Sequence, residues 1–579
     1  MQHGERERPW KRAWGIPVTF LAVTAVLLGF ASPLVRFPAV LVLLFVLPGL
    51  ALLEALGYHP EDRVEQLLVG IGLSYVVTAV LTLWVSYLPG PIPGGVLFLA
   101  CCLAIFVPWF LAQRRGPGRG IPLCSPHGHL PWLALILGVA LVLRVVALGY
   151  AEFEGDEAKV MMRAAQAIVG QDEAPFIHHK GPVEIMIPTA TWLLTGRSNE
   201  SLARLPFTLV NLVGLGAVYL LGHRWFGGAV GLVASGLLAL NGFLVGFGRF
   251  VQYQSVIFAL TALALFCFDR YTAEGDNAAQ VVGGLLLSGA LLAHHEAVVV
   301  VPAVAYLYAT RIRSRRMHWP REGMVLLATA VVGLGILASF YVPFVQHPAF
   351  RQTMQYLTRE RVGGGILYNN ISPAFLLSTF YNTTYYVVAL ILSMLMLLPL
   401  QLGLLPGVLG LLLLSTTAIW PQRWQVGPVN FSVAPFLLVG LALFRAADAP
   451  LRRTLFWFGG SFVFFFFLVE HPYTHIYNVY PPATLLAAVG LREGWRFLKQ
   501  SPRRVRGGVL LSGILILGLS LAYLGLVFLR SDLEYRRTYP AHRSPLFWTA
   551  YDELPCCGFF GMPYQAGWKV IGQLYRQGR

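Results

Sequence analysis

Charge is scarce in this sequence. Asp, Glu, Lys and Arg make up only 12% of its 579 residues, while hydrophobic residues make up 56%. That shortage excludes a string of ordinary soluble domains, whose surfaces carry about twice the charged fraction, and leaves the bilayer as the solvent. Cysteine is also sparse: there are six, including the adjacent pairs Cys101/Cys102 and Cys556/Cys557, and no CxxC…CxxC spacing. Adjacent cysteines bridge poorly, so no disulfide framework follows; HExxH is missing as well, so no metal motif follows. No soluble domain, low-complexity tract or internal repeat interrupts the chain. Acidic residues number 27 against 43 Lys and Arg, a net charge of +16. The basic residues gather in short runs beside apolar segments instead of lining one face, which points to membrane topology and to no nucleic acid.

What the chain has in abundance is apolar runs of about twenty residues, each long enough to cross ~30 Å of hydrocarbon as a helix. They fall near 15–34, 38–57, 67–88, 95–113, 131–150, 203–222, 227–246, 254–270, 279–294, 297–311, 322–345, 383–400, 402–419, 430–445, 454–470, 478–492 and 508–529. The first follows Arg6, Arg8, Lys11 and Arg12, lacks a small-residue cleavage site and reads as a retained anchor. The basic connections 114–119, 311–321, 445–453 and 492–506 then share one side with the N-terminus. That places the N-terminus in the cytoplasm and the tail outside, in a multi-pass protein of the plasma membrane. The long outer connections are 151–202, 346–382 and the tail. Within 151–202, Val160, Met161, Ala164, Ala165 and Ile168 recur at helical spacing up to Gly170, and a second helix begins after Gly181-Pro182. Both are expected to lie on the outer membrane surface. Residues 1–130 look like an added four-helix transmembrane extension, 131–530 a transmembrane core and 531–579 a short extracytoplasmic tail. The tail stretch from Tyr564 to Tyr575 is amphipathic and suited to lie on the membrane.

Chemistry is expected at the outer rim. Glu154-Gly155-Asp156-Glu157 follows the fifth span and precedes a helix. Asp156 and Glu157 could cap and favour that helix's positive end, or one carboxylate could take a proton from an acceptor hydroxyl. His178-His179-Lys180-Gly181-Pro182 offers cationic and hydrogen-bonding partners for a lipid-borne phosphate, against the alternative of snorkelling to headgroups. His294-His295-Glu296 sits at an outer turn, where ionisable groups at membrane depth are functional by default and suit a phosphate or a divalent metal, or simply form a polar turn. Softer candidates are Arg249 and Gln254 after the seventh span, and His475 and Tyr477 after the fifteenth; Arg144 could face the same cavity or snorkel outward.

Asp156-Glu157-Ala158, His179-Lys180-Gly181-Pro182, Leu194-Thr195-Gly196 and Ser201 to Pro206 resemble the first outer loop of family 39 glycosyltransferases. Those are C-fold (GT-C) membrane enzymes that include protein O-mannosyltransferases and the lipid A aminoarabinose transferase. Gly248-Arg249-Phe250, the short-helix pair ending in Pro302, and Tyr477 to Pro482 are similar to later landmarks, so the likeness covers about 131–530. The resemblance implies an all-α integral membrane protein with a GT-C-like bundle of about 13 core transmembrane helices. It implies Asp156 as base with Glu157 as its partner, Lys180 as carrier-phosphate contact, His179 at a metal-ligand position, and His294 where a relative carries a phosphate-binding Lys. Gln254 stands where relatives carry an acid. The donor implied is a polyprenyl-phosphate-linked sugar, transferred with inversion at the outer face. Lys180, His294 and Arg249 are candidates to neutralise the leaving phosphate, and His179, His295 and Glu296 to hold metal or substrate. The acceptor is open: protein, lipid or glycan. A flippase or transporter would put its polar residues near the midplane, and a polymerase or ligase would carry a larger outer loop than the roughly fifty residues at 151–202.

Overall fold

The computed structural model describes residues 15–29, 32–114, 128–153, 155–178, 180–314, 317–539, 541, 543–553 and 560–578. Every expected span is helical there. Nine helices among the described residues are long and apolar enough to cross a membrane, from Val35–Leu56 to Arg503–Leu529. Several others are shorter apolar helices, including Leu130–Val145, Gly228–Ala239 and Asn277–Ala293. Among the described residues strand is confined to one two-residue pairing, Gln425–Val426 with Val429–Asn430. The chain is therefore an all-α, multi-pass membrane protein, as the apolar runs require.

The segments read from the sequence as outer connections hold Asp156–Ile168 and Val183–Thr195, both expected as helices, and also Pro348–Tyr356 and Ile371–Tyr381. Asp156–Ile168 is amphipathic as expected, with Val160, Met161, Ala164 and Ala167 on its buried side. Val183–Thr195 differs from the expected surface helix, because almost all of its residues are buried. Its sequence carries large apolar side chains on every side, and its polar residues, Glu184 among them, are buried with partners, so enclosure by other helices satisfies it.

The N-terminal helices are built into this body. Tyr75 donates to the Pro206 carbonyl (2.5 Å), Arg36 to that of Leu194 (3.2 Å), and Arg270 pairs with Glu65, which also accepts from Tyr58 (2.6 Å). Pro48 lacks an N–H and the helix breaks at Val46, freeing main-chain groups in a dry interior. Thr78 and Ser74 satisfy two of them: Thr78 donates to Leu44 (2.5 Å) and Ser74 Oγ accepts from Gly49 (2.8 Å). Gly49 lies so close to Gly70 and Ser74 that a Cβ would run into their main chain. Arg144 neither snorkels nor faces a cavity. It is fully buried and donates to Asn211 (2.8 Å) and to the carbonyls of Ala140 (3.1 Å) and Ala239 (3.3 Å).

Gly49→Ala is expected to lower stability by about 1–3 kcal/mol through overpacking of the helix crossing. Gly138→Ala, with open space around its Cβ, is expected to be neutral or slightly stabilising. Thermal unfolding of both variants in the same detergent checks the contrast.

Candidate active site at the membrane rim

The acid pair divides into two environments. Gly155, with φ +58°, turns the chain into a helix that begins at Asp156, so Gly155 and not Asp156 occupies the cap. Asp156 keeps a half-exposed carboxylate, 45% accessible. It meets Lys180 Nζ at 3.4 Å, Lys159 Nζ at 3.7 Å and Gln252 Nε2 at 3.3 Å. Glu157, one residue on, is fully buried. Arg204 holds it through Nε (2.8 Å) and a second guanidinium nitrogen (2.6 Å), a fork that fixes both oxygens. Glu157 also accepts from the Val251 amide (2.9 Å), while Arg204 reaches the carbonyls of Leu148 (2.8 Å), Ala151 (2.7 Å) and Glu152 (3.0 Å). This network folds the start of the first outer connection against the 248–253 turn and brings Gln252 beside Asp156.

Lys180 is placed by a close approach. A Cβ on Gly181 would strike the carbonyls of Leu292 and Ala293, so only glycine lets this turn rest on the end of Asn277–Ala293. Lys180 lies over the Tyr253 ring (5.3 Å), which stacks on His294 at 4.0 Å and 3°; His294 in turn packs on His295 at 3.9 Å. Buried Glu184 sits beneath, bonded to His178, 3.8 Å from Lys180 and accepting from the Tyr253 amide (2.9 Å). Burial opposes the charge on Lys180, but Glu184 and Asp156 outweigh it and raise its pKa above the ordinary lysine value. Burial likewise opposes ionisation of Asp156, and there Lys180 and then Lys159 prevail and lower its pKa. The pair is a charged one.

The third side is the turn at 294–296. His294 accepts the Glu296 amide on Nδ1 (3.2 Å), which leaves Nε2 as the protonated nitrogen of a neutral ring. With Nδ1 accepting that amide, His294 is placed to offer Nε2 as a hydrogen-bond donor. Glu296 Oε1 meets His475 Nδ1 (2.8 Å) and Asn478 Nδ2 (2.9 Å), and His475 also meets the Tyr253 hydroxyl (3.4 Å). The Tyr477 hydroxyl, Gln254 Oε1 and Glu296 Oε2 are buried without a hydrogen-bond partner. Arg249 points away from this group, committed to the carbonyls of Gly561 (2.9 Å), Leu143 (3.1 Å) and Val146 (2.8 Å). His179 lies outside the described residues. Among the described residues no three His, Cys, Asp or Glu side chains form a metal-binding group.

Asp156, Lys180, His178, His294, His295, Glu296 and His475 therefore share one chain of contacts. Glu184 and Arg204 were not expected as organisers. An acid and an Arg within largely apolar helices carried the available signal, since intramembrane ionisable residues need partners. Glu157→Ala is expected to destabilise the fold by about 3–5 kcal/mol, because it strands Arg204 as a buried unpaired charge. Asp156→Asn is expected to leave the melting temperature nearly unchanged, and thermal unfolding of the two purified variants separates these outcomes.

Comparison with known proteins adds the following. Residues 179–342 match the family model described as dolichyl-phosphate-mannose-protein mannosyltransferase. No curated protein matches. Of the solved structures, apo ArnT from Cupriavidus metallidurans is 20% identical over 72% of this chain and 67% of its own, with a TM-score of 0.40. ArnT of that organism bound to undecaprenyl phosphate gives 20% identity, the same coverage of both chains and a TM-score of 0.39. The apo oligosaccharyltransferase of Archaeoglobus fulgidus is 13% identical over 76% of this chain and 62% of its own, at 0.38. The likeness read from the sequence motifs is borne out: across the segment that carries Lys180, Arg204, Gly248 and the His294–Glu296 turn, the chain resembles the dolichyl-phosphate-mannose-protein mannosyltransferases, a family of glycosyltransferases.

Proposed function

We propose that this chain is an inverting glycosyltransferase that moves a sugar from a polyprenyl-phosphate carrier to an acceptor hydroxyl or amine on the outer face of the membrane. The observation that carries this reading is the half-exposed Asp156 carboxylate 3.4 Å from Lys180, beside the Tyr253–His294 stack. A base and a phosphate partner are thereby held within one substrate's reach. The family matched at 179–342 is described by a lipid-phosphate sugar donor, which supports the same chemistry. In this reading residues 131–530 are the catalytic core, 1–130 a helical extension packed into it, and 531–579 an outer tail, with the N-terminus in the cytoplasm.

Asp156 removes the acceptor proton as the acceptor attacks the anomeric carbon. The bond from that carbon to the phosphate oxygen breaks, and polyprenyl phosphate departs from the opposite face with the electron pair. Attack and departure on opposite faces invert the configuration. The growing negative charge on the phosphate meets Lys180 and the Nε2–H of His294, preorganised donors in a partly dry site. Glu157 and Glu184 act at one remove, by fixing Arg204 and Lys180. Arg249 is left out of the phosphate group because its guanidinium is occupied by carbonyls.

Asp156→Asn and Lys180→Ala are each expected to lower transfer by about 100-fold or more, measured with a panel of radiolabelled polyprenyl-phosphate sugars in membranes. Full activity in both variants would remove the mechanism. The pH profile gives an independent check. Lys180 helps hold the Asp156 pKa below the ordinary value, so the base stays ionised until the medium is acid. Removing Lys180 leaves burial to raise that pKa, and the acid limb of the residual activity is expected to move to higher pH.

A further inference from the structure

The tail ends in a helix, Trp568–Arg576, with no buried residue. At helical spacing Trp568, Val570, Ile571, Leu574 and Tyr575 fall on one side and Lys569, Gln573 and Arg576 on the other. All five apolar residues are exposed, Trp568 at 66% and Tyr575 at 83%. The polar side is the one fastened to the protein. Lys569 Nζ donates to the carbonyls of Gly149 (2.6 Å) and Tyr150 (3.1 Å), and lies 3.4 Å from Glu200. The Glu152 carboxylate accepts the amides of Ala566 (2.8 Å) and Lys569 (2.7 Å). With its polar edge held, the helix must turn its apolar edge outward.

Its level in the molecule is fixed by the same contacts. Gly149 and Tyr150 follow directly on Leu130–Val145, an apolar helix whose Trp132, Leu135, Leu141 and Val142 are exposed. Elsewhere in the tail, exposed Leu546 and Trp548 lie at the start of Thr384–Leu402, a helix long enough to span a membrane, where the Thr384 amide donates to the Trp548 carbonyl (3.0 Å). The tail thus crosses the ends of two apolar helices, one of them long enough to span a membrane. Its bare apolar residues are joined to helices that expose apolar side chains of their own.

We propose that Trp568–Arg576 is an interfacial helix that docks on the bilayer leaflet on the side of Asp156, with acyl chains as the occupant of its apolar face. Aromatic Trp568 and Tyr575 suit the headgroup boundary, where an apolar ring and a polar edge are both accommodated. The proposal does not depend on the transferase reading, since any membrane protein with this geometry would bury the helix in the same way. It also gives Glu152 a purpose, as the acid that ties the lipid-bound tail to the segment leading into Asp156.

The test uses the full chain in nanodiscs of phosphatidylethanolamine and phosphatidylglycerol, with the photoreactive residue benzoylphenylalanine placed at 571, at 575 and, on the polar side, at 573. After irradiation and mass spectrometry, several-fold more phospholipid adduct at 571 and 575 than at 573 is expected. Equal adduct at all three positions, or none at 571 and 575, overturns the proposal. Adducts to protein at 571, whether a second copy of this chain or another partner, also overturn it. Size-exclusion profiles of the three variants establish that each is folded, and the comparison among positions holds whether or not sugar transfer is detected.

Discussion

The buried pair of Arg204 and Glu157 is the contact on which the arrangement at the rim depends. An ion pair taken out of water is tolerated only when its remaining donors and acceptors are filled. Here they are: Arg204 spends its further N–H groups on the carbonyls of Leu148, Ala151 and Glu152, and Glu157 takes the Val251 amide. That satisfaction turns two chain segments far apart in sequence into one rigid corner. Asp156 is exposed because its neighbour is buried; the helix start allows one carboxylate inward and leaves the other facing the rim.

Lys180 is the second point of order. It stands between a buried acid, Glu184, and a half-exposed one, Asp156, with the Tyr253 ring beneath. A lysine so surrounded keeps its proton despite burial, and it keeps Asp156 ionised in return. The neighbouring histidine differs in kind, since Nδ1 of His294 accepts the Glu296 amide and leaves its other ring nitrogen to donate a directional hydrogen bond. The rim thus combines a point charge and a neutral donor.

The apolar body serves this rim by being stiff. Elements meet through glycines with no room for a side chain, a helix crossing at Gly49 and a turn on a helix end at Gly181, and polar groups released by a proline break are met by Ser74 and Thr78. Lipid offers no solvent to such groups, so each must find its partner within the protein. The N-terminal helices take part in this through Glu65 and Tyr75, which reach helices of the later chain. The rim therefore rests on helices drawn from both ends of the sequence.

The sequence by itself determined that this is a multi-pass helical membrane protein. Long apolar runs admit one secondary structure in lipid, and that inference needs no partner. It also picked out Asp156, Lys180 and the His294 turn, because charged residues beside apolar spans stand out wherever they occur. Only the tertiary structure decided which acid of the pair faces outward, that Glu184 supports Lys180, that Arg249 serves carbonyls, and that Val183–Thr195 is enclosed by the bundle. Those outcomes depend on partners dozens to hundreds of residues away. Burial and charge pairing are properties of the assembled neighbourhood, and spacing along the chain does not encode them.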